Sequence, residues 1–253
     1  MPRADEFEFL RWPGPIPFAH RGGASEVPEN TLPAFEHAVR LGYRYVETDV
    51  HATADGVLLA FHDDVLDRVT DRTGVIGELP WSVVAEAKVD GIEPIPLFED
   101  LLGAFPDLRV NIDPKHDAAV DPLAEVLLRC DAVHRVCIGA FDDIRLERVR
   151  DLLPGVCTSL GPMGTLQLGM ASTGQDVGEL ASPCAQVPPS YADTEIVTEA
   201  FLEEAHRRGM QVHVWTIDDE AEMGRLLDLG VDGLMTDRPA VLKDVLQARG
   251  AWS

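Results

Sequence analysis

The sequence predicts an α/β protein, and within that class a (β/α)8 TIM barrel. Apolar, strand-like runs alternate with helix-like patterns along the chain, which is typical of a parallel sheet with crossover helices. Dividing the 253 residues among eight units gives about 32 residues per unit, a normal length for a βα repeat. An open, doubly wound sheet is the second interpretation, although no GxGxxG or GxxxxGKS/T motif follows a predicted strand.

The N-terminal part of the chain predicts two strands with a capped helix between them. Residues 15–21 form a short apolar run, and residues 43–50 form a β-branched and aromatic run. Between these runs, Asn30 or Thr31 can cap a helix that ends at Gly42. This arrangement is one complete βα unit followed by the next strand.

The rest of the chain continues the alternation and becomes regular from residue 108. The further strand-like runs are residues 56–62, 108–113, 134–139, 155–159, 184–188, 211–216 and 231–236. The helical patterns between them are residues 118–129, 143–152, 194–208, 218–229 and 239–248. Gly209 and Gly230 directly follow two of these helices, at the position where a left-handed glycine commonly ends a helix.

Two stretches interrupt the regular pattern. Residues 63–107 are rich in proline and glycine, and we interpret them as a loop plus a helix over residues 97–105. They form a short irregular insertion after the second βα unit, so residues 1–253 are expected to be a single domain. Residues 160–192 are also irregular and are expected to form a long loop over one face.

The composition narrows the class of protein. With 21 basic and 44 acidic side chains the net charge is −23, which argues against a nucleic-acid binder or a protein of anionic membrane surfaces. The N-terminal residues carry charges and show no signal peptide, and no uncharged apolar run is long enough to span a membrane. We therefore expect a cytoplasmic protein with a small-molecule partner, which could form a homo-oligomer as many barrels do.

The four cysteines are widely spaced in the sequence. Because none of them forms a CxxC motif, zinc and haem motifs are unsupported, and a disulfide framework is not expected in a chain of this size. Buried free thiols are the expected state of Cys130, Cys137, Cys157 and Cys184.

Carboxylates at predicted strand ends indicate a cation site. Glu47 and Asp49 are two residues apart on one strand, so both point to the same side of it and repel each other unless a cation compensates. Asp113 can add a third carboxylate from the next βα unit, and oxygen ligands of this kind suit Mg²⁺ or Ca²⁺. In the alternative interpretation, the first two carboxylates are solvated or paired with Arg21.

Histidines and basic residues at the same ends suggest acid–base chemistry on an anion. His20 and His62 suit proton transfer, because the pKa of histidine lies near physiological pH. Arg21 and Lys115 add positive charge, and the combination describes a site for an anionic phosphate ester. Of the other histidines, His213 is expected in the core and His51 has no assigned role, and the following are expected at the surface: His37, His116, His134 and His206.

A family resemblance extends over residues 17–240. The residues that carry it are, in order, His20-Arg21-Gly22, Pro28-Glu29-Asn30-Thr31, Ala34-Phe35, Glu47-Thr48-Asp49-Val50, Thr53, Asp55-Gly56, His62-Asp63, Leu66-Asp67-Arg68, Ile95-Pro96-Leu97, Asn111-Ile112-Asp113, Phe141-Asp142, Val214-Trp215-Thr216 and Gly230-Val231-Asp232-Gly233-Leu234-Met235-Thr236-Asp237. Through these motifs the sequence resembles the glycerophosphodiester phosphodiesterases, a family of phospholipase-C-like phosphodiesterase TIM barrels. The resemblance implies hydrolysis of glycerophosphodiesters to glycerol 3-phosphate and an alcohol with Mg²⁺ or Ca²⁺.

The resemblance also implies roles for individual residues. The acid–base pair of the family matches His20 and His62, and its phosphate-binding arginine matches Arg21. The other matched positions are the metal ligands Glu47, Asp49 and Asp113, the lysine Lys115 that steadies the developing phosphorane charge, and the substrate-binding aromatic residues Phe141 and Trp215. Two departures concern metal and substrate preference: Asp113 stands where the family commonly has Glu, and Ala140 where many members have Ser.

The implied mechanism leaves three readings of the function. In the first, one histidine deprotonates water or the neighbouring glycerol hydroxyl, and the other protonates the departing alcohol. In the second, a lyase of the phospholipase D type releases a cyclic phosphate without hydrolysing it. In the third, the barrel binds a phosphodiester without catalysis. Retention of both histidines together with the basic and acidic residues favours an enzyme over a binding protein.

Overall fold

Eight parallel strands in the computed structural model, which describes residues 2–252, surround a central axis. The described strands, which include five short ones outside the barrel (β3, β4, β5, β10 and β11), are in chain order β1 Ile16–His20, β2 Tyr45–Ala52, β3 Leu58–Ala60, β4 Lys88–Val89, β5 Glu93–Pro94, β6 Arg109–Pro114, β7 Val136–Ile138, β8 Cys157–Thr158, β9 Cys184–Val187, β10 Ser190–Tyr191, β11 Thr194–Glu195, β12 Gln211–Val214 and β13 Gly233–Thr236. The helices are α1 Leu32–Leu41, α2 Trp81–Val84, α3 Phe98–Ala104, α4 Val120–Arg129, α5 Asp143–Leu152, α6 Pro162–Ser172, α7 Glu199–Arg207, α8 Glu220–Leu229 and α9 Pro239–Ala248.

The order of the strands confirms the predicted barrel. Around the axis they follow one another as β8, β7, β6, β2, β1, β13, β12 and β9, each parallel to its neighbours. A single parallel bridge between Ser159 and Cys184 joins the last strand to the first, and the Leu160 N–H donates to the Cys184 carbonyl at 2.9 Å. We call this junction between β8 and β9 the seam.

The insertion lies elsewhere than predicted. It occupies the space between β2 and its helix α3, so it is part of the second βα unit and does not follow it. The predicted strand over residues 56–62 is three residues long (β3) and pairs antiparallel with β2, outside the parallel barrel. An apolar run alone cannot distinguish a hairpin partner from a barrel strand, because both bury β-branched and aliphatic side chains.

The predicted long loop over residues 160–192 is wrong for about half of its length. It contains the helix α6, which was not predicted, and the barrel strand β9, which agrees with the strand predicted separately over residues 184–188. The sequence of α6, PMGTLQLGMAS, has no 3.6-residue apolar period, so the pattern did not indicate a helix. The helix predicted over residues 194–208 begins only at Glu199, where Thr198 caps it, because residues 190–195 form a small antiparallel hairpin.

The chain's first residues close the N-terminal end of the barrel. Two 3₁₀ turns, Ala4–Glu6 and Glu8–Leu10, place Phe9 and Leu10 against the inward side chains of the barrel. The Tyr45 hydroxyl donates to the Phe9 carbonyl at 2.6 Å, and the Ala4 N–H donates to the Gly209 carbonyl at 2.9 Å. Polar side chains gather at the opposite, C-terminal end, which is where barrel enzymes place their chemistry.

The helices are short compared with a bilayer. None of those within residues 2–252 is both long enough and apolar enough to cross a membrane.

Candidate active site

The parallel register brings distant acidic and basic residues to one end of the barrel. In the pairing of β1 with β2, His20 lies opposite Glu47, and in the pairing of β2 with β6, Asp49 lies opposite Asp113. Neighbouring parallel strands end at the same edge, so residues more than 60 positions apart in the sequence become neighbours there. The sequence motifs on β1, β2 and β6 therefore form one site.

His20 is held by two carboxylates. Its Nδ1 hydrogen bonds with Asp237 Oδ1 at 2.6 Å, and its Nε2 lies 3.6 Å from Glu47 Oε2, which is too far for a hydrogen bond. Burial disfavours the charged imidazole, but the Glu47 and Asp237 carboxylates outweigh this effect and raise the pKa of His20 above its ordinary value. With Nδ1 engaged, Nε2 is the nitrogen left to exchange a proton.

His62 has the same arrangement. Its Nδ1 hydrogen bonds with Asp63 Oδ1 at 2.5 Å, and Arg68 Nε donates to the other oxygen of that carboxylate at 2.5 Å. The Arg68 guanidinium, opposed by partial burial and aided by His62, lowers the pKa of Asp63 to about 2. Asp63 therefore stays ionised and keeps the His62 ring oriented over the whole physiological range.

His51 supports the backbone at His62. The ring is buried, and its Nε2 donates to the His62 carbonyl at 3.0 Å. Burial lowers the pKa of His51, so it is a neutral donor at physiological pH. The residue without an assigned role in the sequence therefore acts through His62.

Arg21 links the two histidines through ion pairs. Its Nη1 donates to Glu29 at 3.0 Å, and its Nε lies 3.3 Å from Asp49 Oδ2 without forming a hydrogen bond. Arg68 binds the same Glu29 carboxylate at 2.7 Å, which connects Arg21 to the Asp63–His62 pair. The backbone N–H of Arg21 also donates to Glu47 at 3.3 Å. A network of alternating charge therefore runs across the mouth of the barrel.

Lys115 stands between two carboxylates. Its Nζ lies 2.6 Å from Asp49 Oδ1 and 2.7 Å from Asp113 Oδ2. Although burial opposes the charge, both carboxylates raise the pKa of Lys115 above its ordinary value. Against the same effect of burial, Lys115 and Arg21 lower the pKa of Asp49. Asp49 and Lys115 are thus both charged in the site.

Glu47 and Asp113 both have a pKa above the ordinary value of a carboxyl group. Burial and the Asp49 charge raise the pKa of Glu47 to about 7. Burial also raises the pKa of Asp113, and its buried Oδ1 has no hydrogen-bond partner. Unpaired hard oxygen atoms in an acidic, buried site suit a divalent cation such as Mg²⁺ or Ca²⁺. The chemistry of these residues therefore fits the predicted metal ligands.

The described residues also contain more compact groups of possible metal ligands. Ligand atoms within 4.8 Å of one another occur in His51–Asp64–His116 at the rim of the site and in a buried trio of cysteines, but not in the set Glu47, Asp49 and Asp113. The Lys115 ammonium lies between Asp49 and Asp113 and already neutralises part of the negative charge that a metal cation would neutralise. The metal role of the three carboxylates stays a prediction.

The two predicted aromatic residues form a pair at the mouth of the barrel. The rings of Phe141 and Trp215 meet edge to face with centroids 5.6 Å apart, and 67% of Phe141 is exposed. Ile144 and Met163, at the starts of α5 and α6, are 76% and 57% exposed. Asp143 joins these two helix starts, because its carboxylate accepts from the Met163 N–H at 3.0 Å. We call Phe141, Ile144 and Met163 the apolar rim.

The structure brings most of the predicted residues together and adds partners that sequence reasoning missed. His20, Arg21, Glu47, Asp49, Asp113 and Lys115 form one chain of contacts, His62 joins it through ion pairs, and Phe141 and Trp215 form a separate pair. The missed partners are Asp237, Asp63, Glu29 and Arg68. All four lie in the recognised motifs, so the signal was present, but only the folded structure shows which base or acid each one contacts.

Comparison with known proteins places these motifs in a family context. The sequence model of the Glycerophosphoryl diester phosphodiesterase family matches residues 20–241. The chain is 41% identical to "Probable glycerophosphodiester phosphodiesterase 2" of Mycobacterium tuberculosis, over 98% of this chain and 97% of that protein. It is 29% identical to human "Lysophospholipase D GDPD1", over 90% of this chain and 85% of that protein.

Solved structures show the same fold. A glycerophosphoryl diester phosphodiesterase structure from Silicibacter pomeroyi superimposes with a TM-score of 0.82 at 22% identity, over 98% of this chain and 100% of that one. A phosphodiesterase from Oleispira antarctica, in complex with the product sn-glycerol-3-phosphate, superimposes with a TM-score of 0.78 at 22% identity, over 92% and 97% of the two chains. At this level of identity the likeness supports the barrel architecture.

Proposed function

The chain belongs to the glycerophosphoryl diester phosphodiesterase family, and we propose that it hydrolyses glycerophosphodiesters to sn-glycerol 3-phosphate and an alcohol by acid–base catalysis with His20 and His62. The observation that carries this proposal is the matched environment of the two histidines. Each has its Nδ1 fixed by an aspartate, Asp237 or Asp63, and each keeps Nε2 for proton exchange. An imidazole whose Nδ1 is fixed by a carboxylate is oriented for proton transfer at Nε2.

The histidines divide the proton transfers between them. One accepts a proton from the attacking oxygen, which is either water or the adjacent glycerol hydroxyl. The other donates a proton to the alcohol oxygen as its bond to phosphorus breaks. Attack by the glycerol hydroxyl gives a cyclic phosphate first, which water then opens, so that both routes end in the same products. Positioned acid–base catalysis of this kind contributes about 10²- to 10⁴-fold to the rate.

Arg21 and Lys115 provide the charge that binds the phosphate. A guanidinium can hold two phosphate oxygens at once, whereas an ammonium acts as a mobile point charge. Both are held in place by carboxylates, Arg21 by Glu29 and Lys115 by Asp49, so little ordering is needed when the substrate arrives. Trp215 and Phe141 lie at the mouth, where they can cover the glycerol moiety.

Glu47, Asp49 and Asp113 would hold a divalent cation, Mg²⁺ or Ca²⁺, in this proposal. When bound, such an ion neutralises charge on the phosphodiester and so favours attack on phosphorus. The support is the donor set itself: three buried carboxylates, one with a pKa raised to about 7 and another with an unpaired oxygen. The cytoplasmic location, a single domain over residues 1–253, a role in lipid and glycerol metabolism and the capacity to form a homo-oligomer remain further parts of the proposal.

The test is turnover of glycerophosphocholine by His20→Ala and His62→Ala, with Mg²⁺, Ca²⁺ or Mn²⁺ present. Each substitution should lower kcat by about 10²- to 10⁴-fold, because one proton transfer loses its catalyst. His37→Ala is the matched control, since His37 also pairs with a carboxylate, Glu26, but outside the network. Near-full activity of both variants would refute the two-histidine mechanism.

The same assay separates the other readings. Phosphorus NMR of the wild-type reaction should show glycerol 3-phosphate. A cyclic phosphate that accumulates would instead favour the lyase of the phospholipase D type. Binding of glycerophosphocholine without turnover, under every metal condition, would favour a non-catalytic barrel.

The apolar rim favours a second candidate substrate, a glycerophosphodiester that keeps one acyl chain. The side chains of Phe141, Ile144 and Met163 are mostly exposed, and Phe141 also packs against Trp215 at the mouth. An exposed apolar patch beside a polar site commonly binds an apolar part of a ligand. A relative that is 29% identical to the chain is called a lysophospholipase D.

Comparison of lysophosphatidylcholine with glycerophosphocholine tests this candidate. If the rim binds the acyl chain, Ile144→Ser should raise KM for the lysolipid several-fold and leave glycerophosphocholine turnover unchanged. Leu152→Ser, at an exposed position of the same helix but at its far end, is the control. Equal KM values for wild type and Ile144→Ser would remove the acyl chain from the proposal.

A further inference from the structure

Three cysteines point into the barrel at the end opposite to the active site. Cys137 lies on β7, Cys157 begins β8 and Cys184 begins β9, so they come from three consecutive barrel strands. All three are buried, and they pack with Phe18 and Met235 in the interior cluster. The catalytic network does not use them.

The sulfur atoms are close enough to share one ion. The three Sγ atoms lie within 4.8 Å of one another, and those of Cys137 and Cys184 are 3.9 Å apart. Three thiolates that bind a central ion at about 2.3 Å in one plane would stand about 4.0 Å apart. No disulfide links the cysteines in residues 2–252. The measured Cys137–Cys184 spacing therefore matches a trigonal three-sulfur site, and Cys157 lies near enough to complete it.

The surroundings favour a soft ion that accepts three ligands. Structural Zn²⁺ usually has four ligands, and the group offers three ligand atoms. The nearest imidazole, His213, is engaged on both sides, with Gln186 Nε2 3.4 Å from its Nδ1 and Gln211 Oε1 3.2 Å from its Nε2. Thiolates in an apolar pocket select Cu(I) over hard cations.

A surface cavity lies beside one of the three cysteines. The cavity, of about 280 Å³, opens at the N-terminal end of the barrel, and Cys157 lies at its wall together with Phe7 and Val133. The neighbouring seam of the barrel consists of the bridge between Ser159 and Cys184. Cys157 therefore adjoins a surface cavity from which a small ion can approach the trio.

We propose that Cys137, Cys157 and Cys184 form a buried three-sulfur site for one Cu(I) ion. Binding forms three Cu–S bonds, and the thiols release their protons to solvent as these bonds form. The oxidation state of copper and sulfur does not change. The site is independent of phosphodiester hydrolysis.

The experiment titrates the reduced full-length protein with Cu(I) under anaerobic conditions against a Cu(I) chelator. We expect one tightly bound ion per chain and an X-ray absorption spectrum with a sulfur-only shell at about 2.3 Å. Cys137→Ser, Cys157→Ser and Cys184→Ser should each weaken binding by about 100-fold or more, because a hydroxyl is a poor ligand for a soft ion. Cys130→Ser should bind as the wild type does, since Cys130 lies outside the trio.

Several results would overturn the proposal. These are failure of the wild type to compete with the chelator, equal binding by the triple serine variant, and an absorption shell that contains nitrogen or oxygen. The spectrum of the wild-type complex decides the case even where a serine variant fails to fold. Tighter binding of Zn²⁺ than of Cu(I) would also contradict a three-coordinate soft site.

Discussion

Glu47 is a buried carboxyl group whose negative charge is only partly balanced by nearby positive groups. Its carboxyl is buried beside Asp49, and the groups that favour its ionised form, His20, Lys115 and Arg21, are shared with other carboxylates. Burial and the Asp49 charge together bring its pKa to about 7, far from the ordinary value of 4.5. The native state therefore holds a proton on Glu47 more tightly than the unfolded chain does.

This difference predicts how stability depends on pH in the metal-free protein. Because the pKa of Glu47 is raised in the native state, its protonation adds to the free energy of unfolding. This contribution is complete below pH 4.5 and is lost as the pH rises through about 7. The loss is on the order of 3 kcal/mol for a shift of this size. Glu47→Gln should remove this part of the slope and make the protein more stable at pH 8, as measured by urea unfolding in EDTA.

Two controls define that result. Glu36→Gln, at an exposed position of α1, should leave the slope of the wild type unchanged. Addition of Mg²⁺ or Ca²⁺ at pH 8 should stabilise the wild type more than it stabilises the Glu47→Gln variant, because the ion neutralises the Glu47 carboxylate that the variant lacks. Identical pH slopes for the wild type and Glu47→Gln would show that the Glu47 carboxyl is not perturbed.

At the scale of elements, the turn from β1 to α1 sets the position of Arg21. Arg21 and Gly22 both have a positive φ, +51° and +81°, so the chain reverses tightly against the first turn of the helix. A Cβ on Gly22 would lie 2.7 Å from the Ala34 side chain and 2.8 Å from its carbonyl carbon. Glycine is therefore required here both for its φ and for the close approach of α1.

Alanine substitution separates these two reasons. Gly56 has nearly the same φ, +79°, but nothing lies within 4 Å of the place a Cβ would occupy. Gly56→Ala should cost about 1 kcal/mol of unfolding free energy, whereas Gly22→Ala should cost about 3 kcal/mol or more and lower kcat/KM by displacing Arg21. Urea unfolding and glycerophosphocholine turnover measure both effects, and equal costs at the two positions would mean that α1 simply moves aside.

How far the elements could be predicted depends on their local patterns. Thr31 and Gly42 mark the ends of α1 because capping is a local effect, and the structure bears this out. The helix α6 was missed because its apolar residues do not repeat at helical spacing, and Met163 remains exposed. The contact of His20 with Asp237 spans 217 residues, so no local pattern can reveal it. Strand ends could be predicted as sites, but the pairs within the site depend on register.

At the scale of the whole molecule, the charge distribution sets which substrates approach easily. The protein has a net charge of −23, and the proposed phosphate-binding groups of the site, Arg21 and Lys115, are themselves paired with carboxylates. Beyond about 10 Å at moderate salt such fields are screened. An anionic substrate therefore meets a repulsive field at low salt and a local positive spot only within the mouth.

Salt should consequently affect two substrates differently. The kcat/KM for glycerophosphoglycerol, which carries a net negative charge, should rise from low to moderate salt as the repulsion is screened. Glycerophosphocholine, which is zwitterionic, should respond weakly and serves as the internal control. A kcat/KM for the anionic substrate that falls with salt would mean that attraction by the site outweighs the acidic surface at long range.

The seam suggests how the chain could be circularly permuted. Gly14, before the first strand, and Ala251, near the last described residue, are neighbours, since a Cβ on Gly14 would stand 3.9 Å from the Ala251 carbonyl oxygen. A linker from the C-terminal residues to those before the two 3₁₀ turns would keep these turns, and a new start could be made in the connection between α6 and β9. In the permuted chain β9 would be the first barrel strand and β8 the last. The barrel could then close only after its last strand has been synthesised.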